Sequence, residues 1–235
     1  MSKTKTRSLA TLAAVFSGPY DTIDIVSDEK GWDAYALSTD KTSMMSAMLP
    51  ASAFEEYEPL GRFVVDAEAL VAKLKNMGDV TEVETTHGGA RLRLASDGFK
   101  DTMALFPANE DSPRRMPRVA LPAGCVCDLA PLRKVVKATD NQMVRIDVSG
   151  EGVRMQSFDE SLCGPEAEIP AQSLMSVEGE GSAAYSTKSL EDFLSRFPKE
   201  AVASLELGND LPLKVSFTVD GLEGVYFLAP WIEES

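Results

Sequence analysis

The chain has 235 residues, of which 44% are apolar, and a formal net charge of −14. This length and composition allow one large or two small buried cores and exclude a disordered polar chain. No apolar run approaches the roughly 18 to 20 residues of a membrane-spanning helix. An odd number of cysteines, three, argues against a secreted disulfide framework. We therefore expect an intracellular protein.

Four segments predict amphipathic helices, because their apolar residues recur every three or four positions, as Leu9 and Leu12 illustrate. Asp66, Asp128 and Ser186 stand where N-caps are expected. The predicted helices are residues 3–17, 66–77, 128–140 and 186–198.

Between the first two helices and after the second, short alternating runs separated by Gly, Asp or Pro turns predict strands. They are residues 23–26, 32–37, 44–49, 62–65, 80–85, 90–95 and 102–106, and a comparable series follows Asp140. Helices on one face of an antiparallel sheet place the chain in the α+β class.

One segment occurs twice. Residues 97–107 and 220–230 share an Asp-Gly turn, a Leu and a Pro at identical spacing. An offset of about half the length indicates two similar domains in tandem. We predict an N-terminal domain over 1–107, a connector over 108–122 and a C-terminal domain over 123–235, each with two helices on an antiparallel sheet.

The connector is rich in proline, which favours an extended path. Pro113, Pro117 and Pro122 punctuate it, while Val119 and Leu121 alternate toward one side. The sequence leaves two interpretations open, a stiff strap with an apolar edge and a plain linker.

The predicted helices are the basic part of an acidic protein, whose overall charge speaks against nucleic acid. They hold ten basic and six acidic residues. A DNA-facing stripe and ordinary solvated helix faces both explain this distribution. The candidates for DNA contact are Lys3, Lys5, Arg7, Lys73, Lys75, Arg133, Lys134, Lys137, Lys188 and Arg196, of which Arg133, Lys134 and Lys137 are the strongest.

Catalytic and metal chemistry find little support. Cys125 and Cys127 would share one face of a strand, but a metal site would also need Cys163 and His87 without a usual ligand spacing. Buried thiols are the simpler interpretation. No carboxylate pair, phosphate-cradling loop or nucleophile elbow stands out. We expect no enzyme activity, cofactor or metal.

Three segments carry a resemblance to a known family. The ending Val-Tyr-Phe-Leu-Ala-Pro-Trp-Ile-Glu-Glu at 225–234 resembles the Tyr-Tyr-Leu-Ala-Pro-Lys-Ile-Glu tail of the sliding clamps called proliferating cell nuclear antigen (PCNA). Residues 210–215 resemble the Asp-x-Pro-Leu segment before that tail, and residues 49–58 the family's Leu-Pro-x-x-x-Phe-x-x-Tyr stretch. With the connector and four helices, the resemblance covers nearly the whole chain.

The resemblance implies a DNA clamp fold that assembles into a ring, usually a homotrimer, with the helices lining a hole around duplex DNA. It implies a processivity factor for DNA polymerase that binds DNA without reading sequence. The compartment would be the cytoplasm in an archaeon or in the archaeal host of a virus, and the nucleus in a eukaryote. The alternative is a monomeric processivity factor or a checkpoint-type clamp subunit of a hetero-oligomer.

The resemblance also implies a pocket for the PIP-box peptides of DNA polymerases, clamp loaders, ligases and nucleases. The residues carried over are Val119, Leu121, Pro212, Phe227, Leu228, Ala229, Pro230 and Ile232. For Leu228, core and pocket remain equally open. The chain departs from the family at Ser43, where a His is frequent, at Trp231, which replaces a basic residue, and in its basic connector.

Overall fold

The computed structural model describes residues 2–86, 89–108, 114, 116–159, 163–197 and 201–232. His87 and Pro113 lie outside them. The chain divides into two compact units. The first comprises Met1–Met116 with Thr218–Gly224, and the second comprises Pro117–Phe217 with Val225–Ser235. The boundaries predicted from sequence, 107 and 123, remain a prediction.

The first unit opens with a strand, a helix and a run of strands. Its elements are β1 (Ser2–Lys5), α1 (Thr6–Phe16), β2 (Thr22–Asp28), β3 (Gly31–Leu37), β4 (Ser43–Pro50), β5 (Phe54–Glu56), β6 (Gly61–Asp66), α2 (Ala67–Leu74), β7 (Val80–Thr86), β8 (Arg91–Ser96) and β9 (Phe99–Ala104). One sheet has the order β5-β1-β7-β8-β9, and β4-β3-β2-β6 are neighbours in another, with antiparallel pairing.

The second unit repeats that order. Its elements are β10 (Ala123–Asp128), α3 (Ala130–Lys137), β11 (Met143–Ser149), β12 (Gly152–Phe158), β13 (Cys163–Pro170), β14 (Ser176–Glu178), β15 (Gly181–Ser186), α4 (Thr187–Leu194), β16 (Val202–Leu207), β17 (Leu213–Val219) and β18 (Leu222–Leu228). Here β14-β10-β16-β17-β18 and β13-β12-β11-β15 are the neighbouring strands. The α+β class is confirmed, and the predicted duplication appears as the same element order in both units.

A local detail recurs at equivalent positions of the two units. Gly31 and Gly152 open β3 and β12 with φ of +134° and +140°, and a Cβ on either would collide with the carbonyl oxygen of Leu49 or Ile169. Only glycine adopts this conformation readily. A single 3-10 turn follows the paired strand in each unit, Ala51–Ala53 and Ala171–Ser173.

The helices are shorter than the sequence predicts, and the first predicted helix is wrong at its start. Lys3 and Lys5 lie on β1, not on a helix. Strand β1 escapes pattern analysis because its buried residues are small and polar. Ser2 Oγ donates to Glu58 O at 2.8 Å and Thr4 Oγ1 donates to Ala53 O at 2.7 Å, which satisfies both buried hydroxyls.

Two of the three predicted caps are observed in full. Asp66 Oδ1 accepts from Ala69 N at 2.7 Å, and Ser186 Oγ accepts from Ser189 N at 3.3 Å. Asp128 ends β10 instead, and Leu129 is the N-cap of α3. The Asp128 carboxylate still accepts from Ala130 N at 2.7 Å, so it binds one of the open amides at the helix start.

The core of the second unit is centred on aromatic rings from α4 and the last two strands. Phe193 stacks on Tyr226 at 4.2 Å between ring centroids and contacts Phe197 at 4.6 Å, and Phe197 meets Phe217 edge-on at 4.6 Å. In the first unit Trp32 of β3 contacts Phe54 of β5 and Phe63 of β6 instead. Among the described residues, no helix is long and apolar enough to cross a bilayer.

Candidate DNA and peptide interfaces

The side of the first sheet that carries α2 follows from strand register, since directly paired residues of antiparallel strands share a face. Asp101 pairs with Leu94, Leu94 with Val83, and Val83 with Ser2. Lys73 of α2 lies over the same face, because its Nζ is 2.7 Å from Asp101 Oδ1.

Lys3 and Lys5 occupy the opposite face, because neighbouring residues of a strand point to opposite sides. Lys3 pairs in register with Glu56 and Glu82, and its Nζ lies 4.0 Å from a carboxylate oxygen of Glu55. The two lysines therefore do not share a surface with the cations of α2. Lys3 has acidic neighbours there instead.

The two helix cations of the first unit are each paired with an aspartate. Arg7 contacts Asp220 through two atoms, with Nε 3.1 Å from Oδ2 and Nη2 2.8 Å from Oδ1. Lys73 is paired with Asp101, and this hydrogen bond holds the pKa of the Asp101 carboxyl below its usual range. Lys75, the C-cap of α2, is exposed and has no ion pair within the described residues.

Helix α3 of the second unit carries the densest positive charge. It contains three basic and no acidic residues, and buries Leu132, Val135 and Val136 on its other side. Lys134 and Lys137 are exposed and form no ion pair within the described part of the chain. Arg133 is half-buried, and its Nη2 donates to Phe197 O at 3.2 Å.

Helix α4 adds less net charge. Lys188 is exposed, but Glu191 and Asp192 follow it at helical spacing, where opposite charges interact. Arg196 comes after the end of the helix and is half-buried. Of the four helices, α3 therefore carries most of the positive charge that has no acidic neighbour among the described residues.

The residues predicted to receive a partner peptide separate into buried and accessible groups. Phe227 and Leu228 are 6% and 1% exposed, so both side chains are buried on β18. Val119 is 41% exposed and Ile232 70% exposed. The accessible residues of the predicted pocket are Val119, Leu121, Pro212, Ala229, Pro230 and Ile232.

The tail after β18 follows the edge of β15. Trp231 N donates to Ala184 O at 2.7 Å, and further along β15 Asp210 N donates to Ser182 O at 3.1 Å. A cavity of about 500 Å³ adjoins this contact. Of the predicted peptide residues, only Ile232 lines it, and the others in its wall are Met143, Arg145, Phe158, Ser182, Ala183, Ala184, Asn209, Asp210 and Trp231.

The three cysteines do not come together in the part of the chain that the structure describes. Cys125 and Cys127 are buried and Cys163 is exposed. The pKa of the Cys127 thiol is raised by its hydrogen bond with Cys125 and by burial. Within the described residues, no three His, Cys, Asp or Glu side chains come together as metal ligands would.

The sequence indicates the basic residues of the helices but not the acidic residues that pair with them. Asp101 and Asp220, which compensate helix cations, come from β9 and from the turn before β18, and nothing in their local sequence indicates this. The wall of the tail cavity was missed too. The one available signal was the alternation of apolar and polar residues over 144–149 of β11, which places Arg145, and Met143 two residues before it, on the face opposite Val144.

No protein-family model matches the chain. Curated relatives do. A DNA polymerase sliding clamp of Methanothrix thermoacetophila is 26% identical over 222 residues, covering 91% of either chain. Another, from Natronomonas pharaonis, is 26% identical over 219 residues, which cover 88% of this chain and 87% of that one.

Solved structures share the fold. PCNA of A. fulgidus, solved with the C-terminal region of FEN-1 bound, superimposes with a TM-score of 0.88 over 100% of both chains, at 21% identity. PCNA of Thermococcus kodakaraensis gives 0.83 over 98% of this chain and 100% of its own, at 17% identity. The predicted resemblance to PCNA-type clamps is confirmed.

Proposed function

We propose that this chain, a relative of the PCNA-type sliding clamps over nearly its whole length, is a DNA polymerase sliding clamp. It encircles duplex DNA and tethers replication and repair proteins through PIP-box peptides. The observation that carries the proposal is the agreement of two whole-chain matches, in sequence to DNA polymerase sliding clamps and in fold to PCNA. It acts inside the cell as a tether, and we assign it no reaction of its own.

DNA contact is assigned first to α3. The exposed ammonium groups of Lys134 and Lys137 can meet backbone phosphates without a competing carboxylate, and such contacts carry no sequence information. Arg133, Lys188, Arg196 and Lys75 extend this set. Arg7 and Lys73 contribute less because each already has a carboxylate partner. Lys3 and Lys5 are left out because they lie on the other face of their sheet.

Paired charge reversals test the DNA assignment. Lys134→Glu with Lys137→Glu should reduce the stimulation of a polymerase on a primed circular template. The slope of the logarithm of DNA affinity against the logarithm of salt concentration should also become shallower by roughly 1.8, which is about 0.9 for each lost phosphate contact. Lys3→Glu with Lys5→Glu makes the same charge change on β1 and should behave like the unaltered protein. Equal losses in both variants would remove α3 from the DNA interface.

Assembly into a homotrimer follows from the family resemblance, which implies pairing between edge strands of neighbouring subunits. Among the described strands, β9 and β13 are the long edges with no strand or tail along their outer side. The outer edges of β6 and β15 are covered in part by Phe106 and Trp231, which donate to Val64 O and Ala184 O. Open edges are templates for strand addition, so we assign β9 and β13 to the subunit interface.

A proline on β9 tests this interface. The two-residue turn at Asp97 and Gly98 makes Ser96 and Phe99 the closing pair, so the amide of Thr102 points away from β8. Thr102→Pro removes that donor, together with its hydrogen bond to Asp101 Oδ1, without breaking the hairpin. Light scattering should show three times 25.4 kDa for the unaltered protein and for Thr102→Ala, and a monomer for Thr102→Pro. A trimer that survives the proline, or a monomer at every concentration of the unaltered chain, contradicts the assignment.

Peptide binding is assigned to the accessible apolar residues of the connector and tail. Ile232 is the most exposed of them, so shortening its side chain should cost little folding stability. Ile232→Ala should weaken binding of the FEN-1 C-terminal peptide while leaving the trimer and DNA retention intact. Leu228→Ala serves as the contrast, since a buried residue should lower stability as well. Unchanged peptide affinity in Ile232→Ala would remove Ile232 from the pocket.

A further inference from the structure

Arg114, in the predicted connector, is held by the first unit far more firmly than a linker residue needs. Its side chain is 17% exposed. Nη1 lies 3.1 Å from Asp33 Oδ2, and Nη2 donates to Asp33 O at 2.6 Å and to Asp24 O. Nε lies 3.4 Å from Asp24 Oδ2, an ionic contact without hydrogen-bond geometry.

The groups that hold Arg114, which we call its seat, belong to Asp24, Asp33 and Tyr35 on the outward face of β2 and β3. Asp24 pairs in register with Tyr35, and Asp33 pairs with Val26. Their neighbours Ile25 and Ala34 point to the buried side. The guanidinium carbon lies 5.8 Å from the centre of the Tyr35 ring. Two carboxylates, two carbonyl oxygens and an aromatic face therefore converge on one cation.

The seat is unfavourable when it is empty. Burial raises the pKa of the Asp33 carboxyl, and the charge of Arg114 acts in the opposite direction. Arg62 already contacts Asp24 at 2.7 Å and is one cation for two acids. A planar guanidinium can donate to several acceptors at once in a fixed geometry. A lysine ammonium at the same position cannot reproduce that geometry.

We propose that Arg114 is a positioning residue that fastens the start of the connector to the β2–β3 face and thereby fixes how the connector meets a partner peptide. Pro117 and Pro122 restrict the backbone that follows, so a fixed end limits the positions open to Val119 and Leu121. The inference rests on the proposed peptide binding, because Arg114 would act on the partner only through the position of the connector.

The experiment uses the full-length protein and compares three variants. Arg114→Ala leaves Asp24 and Asp33 without the Arg114 cation. Arg114→Lys keeps the positive charge but not the planar guanidinium. Arg118→Ala removes an exposed cation of the connector and is the matched control. Hydrogen exchange of the amides from 116 to 121 reports the fastening directly. Binding of the FEN-1 C-terminal peptide, with its dissociation rate, reports the effect on the partner.

Arg114→Ala should raise exchange across 116 to 121 at least tenfold and weaken peptide binding about fivefold through faster dissociation. Arg114→Lys should fall between it and the unaltered protein, and Arg118→Ala should match the unaltered protein. Asp33→Asn, which removes one acceptor without leaving an unpaired acid, should change both readouts in the same direction by less.

Three results overturn the inference. Exchange at 116 to 121 that stays unchanged in Arg114→Ala means that the connector is not fastened there. Exchange that rises throughout the first unit means that Arg114 only stabilises the fold. An equal affinity loss in Arg118→Ala means that connector charge matters rather than the seat. If the unaltered protein does not bind the peptide, the proposed peptide binding fails, and the exchange data alone decide whether Arg114 fastens the connector.

Discussion

In the first unit the helix cations Arg7 and Lys73 are each paired with an aspartate, whereas in the second unit Lys134 and Lys137 have no such partner within the described chain. The two units have the same element order, so the difference does not come from the fold. It comes from two acidic positions, Asp101 and Asp220. A duplicated architecture can therefore keep its backbone in both copies while one copy carries most of the uncompensated positive charge of the helices.

The cores differ in a similar way. The aromatic cluster of the second unit joins a helix to strands through Phe193 and Tyr226, while that of the first joins strands to one another through Trp32 and Phe63. Aromatic contacts add about 0.5 to 1.5 kcal/mol beyond burial. Helix docking in the second unit should depend more strongly on a single ring.

The largest expected effect is on that ring. Phe193→Ala should lower the free energy of unfolding by about 3 to 5 kcal/mol, because it opens a cavity among three other aromatic residues. Urea unfolding followed by circular dichroism measures the loss. Phe193→Leu, which keeps most of the volume, should cost clearly less. A small and equal cost for both would show that α4 is held by other contacts.

Next come the two equivalent glycines. Gly31→Ala and Gly152→Ala should each destabilise by roughly 1 to 3 kcal/mol, since both force a side chain into a positive φ region. The Cβ would also meet the carbonyl oxygen of the paired strand. Thermal unfolding should give similar shifts for the two variants. A large difference between them would break the equivalence of the units at this position.

A third change should make the first unit behave like the second. Asp220→Asn with Asp101→Asn releases Arg7 and Lys73 from their partners, and asparagine suits the positive φ of 49° at position 220. Retention on circular DNA at low salt should increase. The slope of the logarithm of affinity against the logarithm of salt concentration should become steeper by up to roughly 0.9 for each released cation. Stability should fall by only about 0 to 1 kcal/mol. Unchanged retention would place these helix faces away from DNA.

The smallest effect concerns pH. The hydrogen bond from Lys73 lowers the pKa of Asp101 from its ordinary 3.8, so the pair stabilises the fold above that value and loses its contribution as the pH falls through the lowered pKa. The urea midpoint of the unaltered protein should therefore fall more in acid than that of Asp101→Asn. Parallel pH profiles would mean that this surface pair contributes nothing measurable.

The elements that the sequence predicted well are those whose signals are local. Caps such as Asp66 and Ser186 act on amides three residues away, and the apolar spacing of each helix is contained in its own segment. The repeated Asp-Gly segment predicted the duplication for the same reason.

The elements that were missed depend on residues far along the chain. Strand β1 buries Ser2 and Thr4, whose hydroxyls find carbonyl acceptors about fifty residues away, so no apolar alternation marks it. Phe227 and Leu228, assigned to a peptide pocket by resemblance, are consecutive buried residues of β18, and their part in a pocket stays a prediction. The contacts of Arg114, one of the cations of the basic connector, could not be predicted because Asp24 and Asp33 are remote in sequence.

The tip of the last hairpin, Thr218–Gly224, belongs to the first unit although it is encoded close to the end of the chain. During translation the ribosome releases the N-terminal residues first, so Arg7 cannot pair with Asp220 until the chain has grown by a further 213 residues. The first unit therefore cannot complete its structure as an independent nascent domain. A fragment that stops in the connector would lack the same piece permanently, however long it is given to fold.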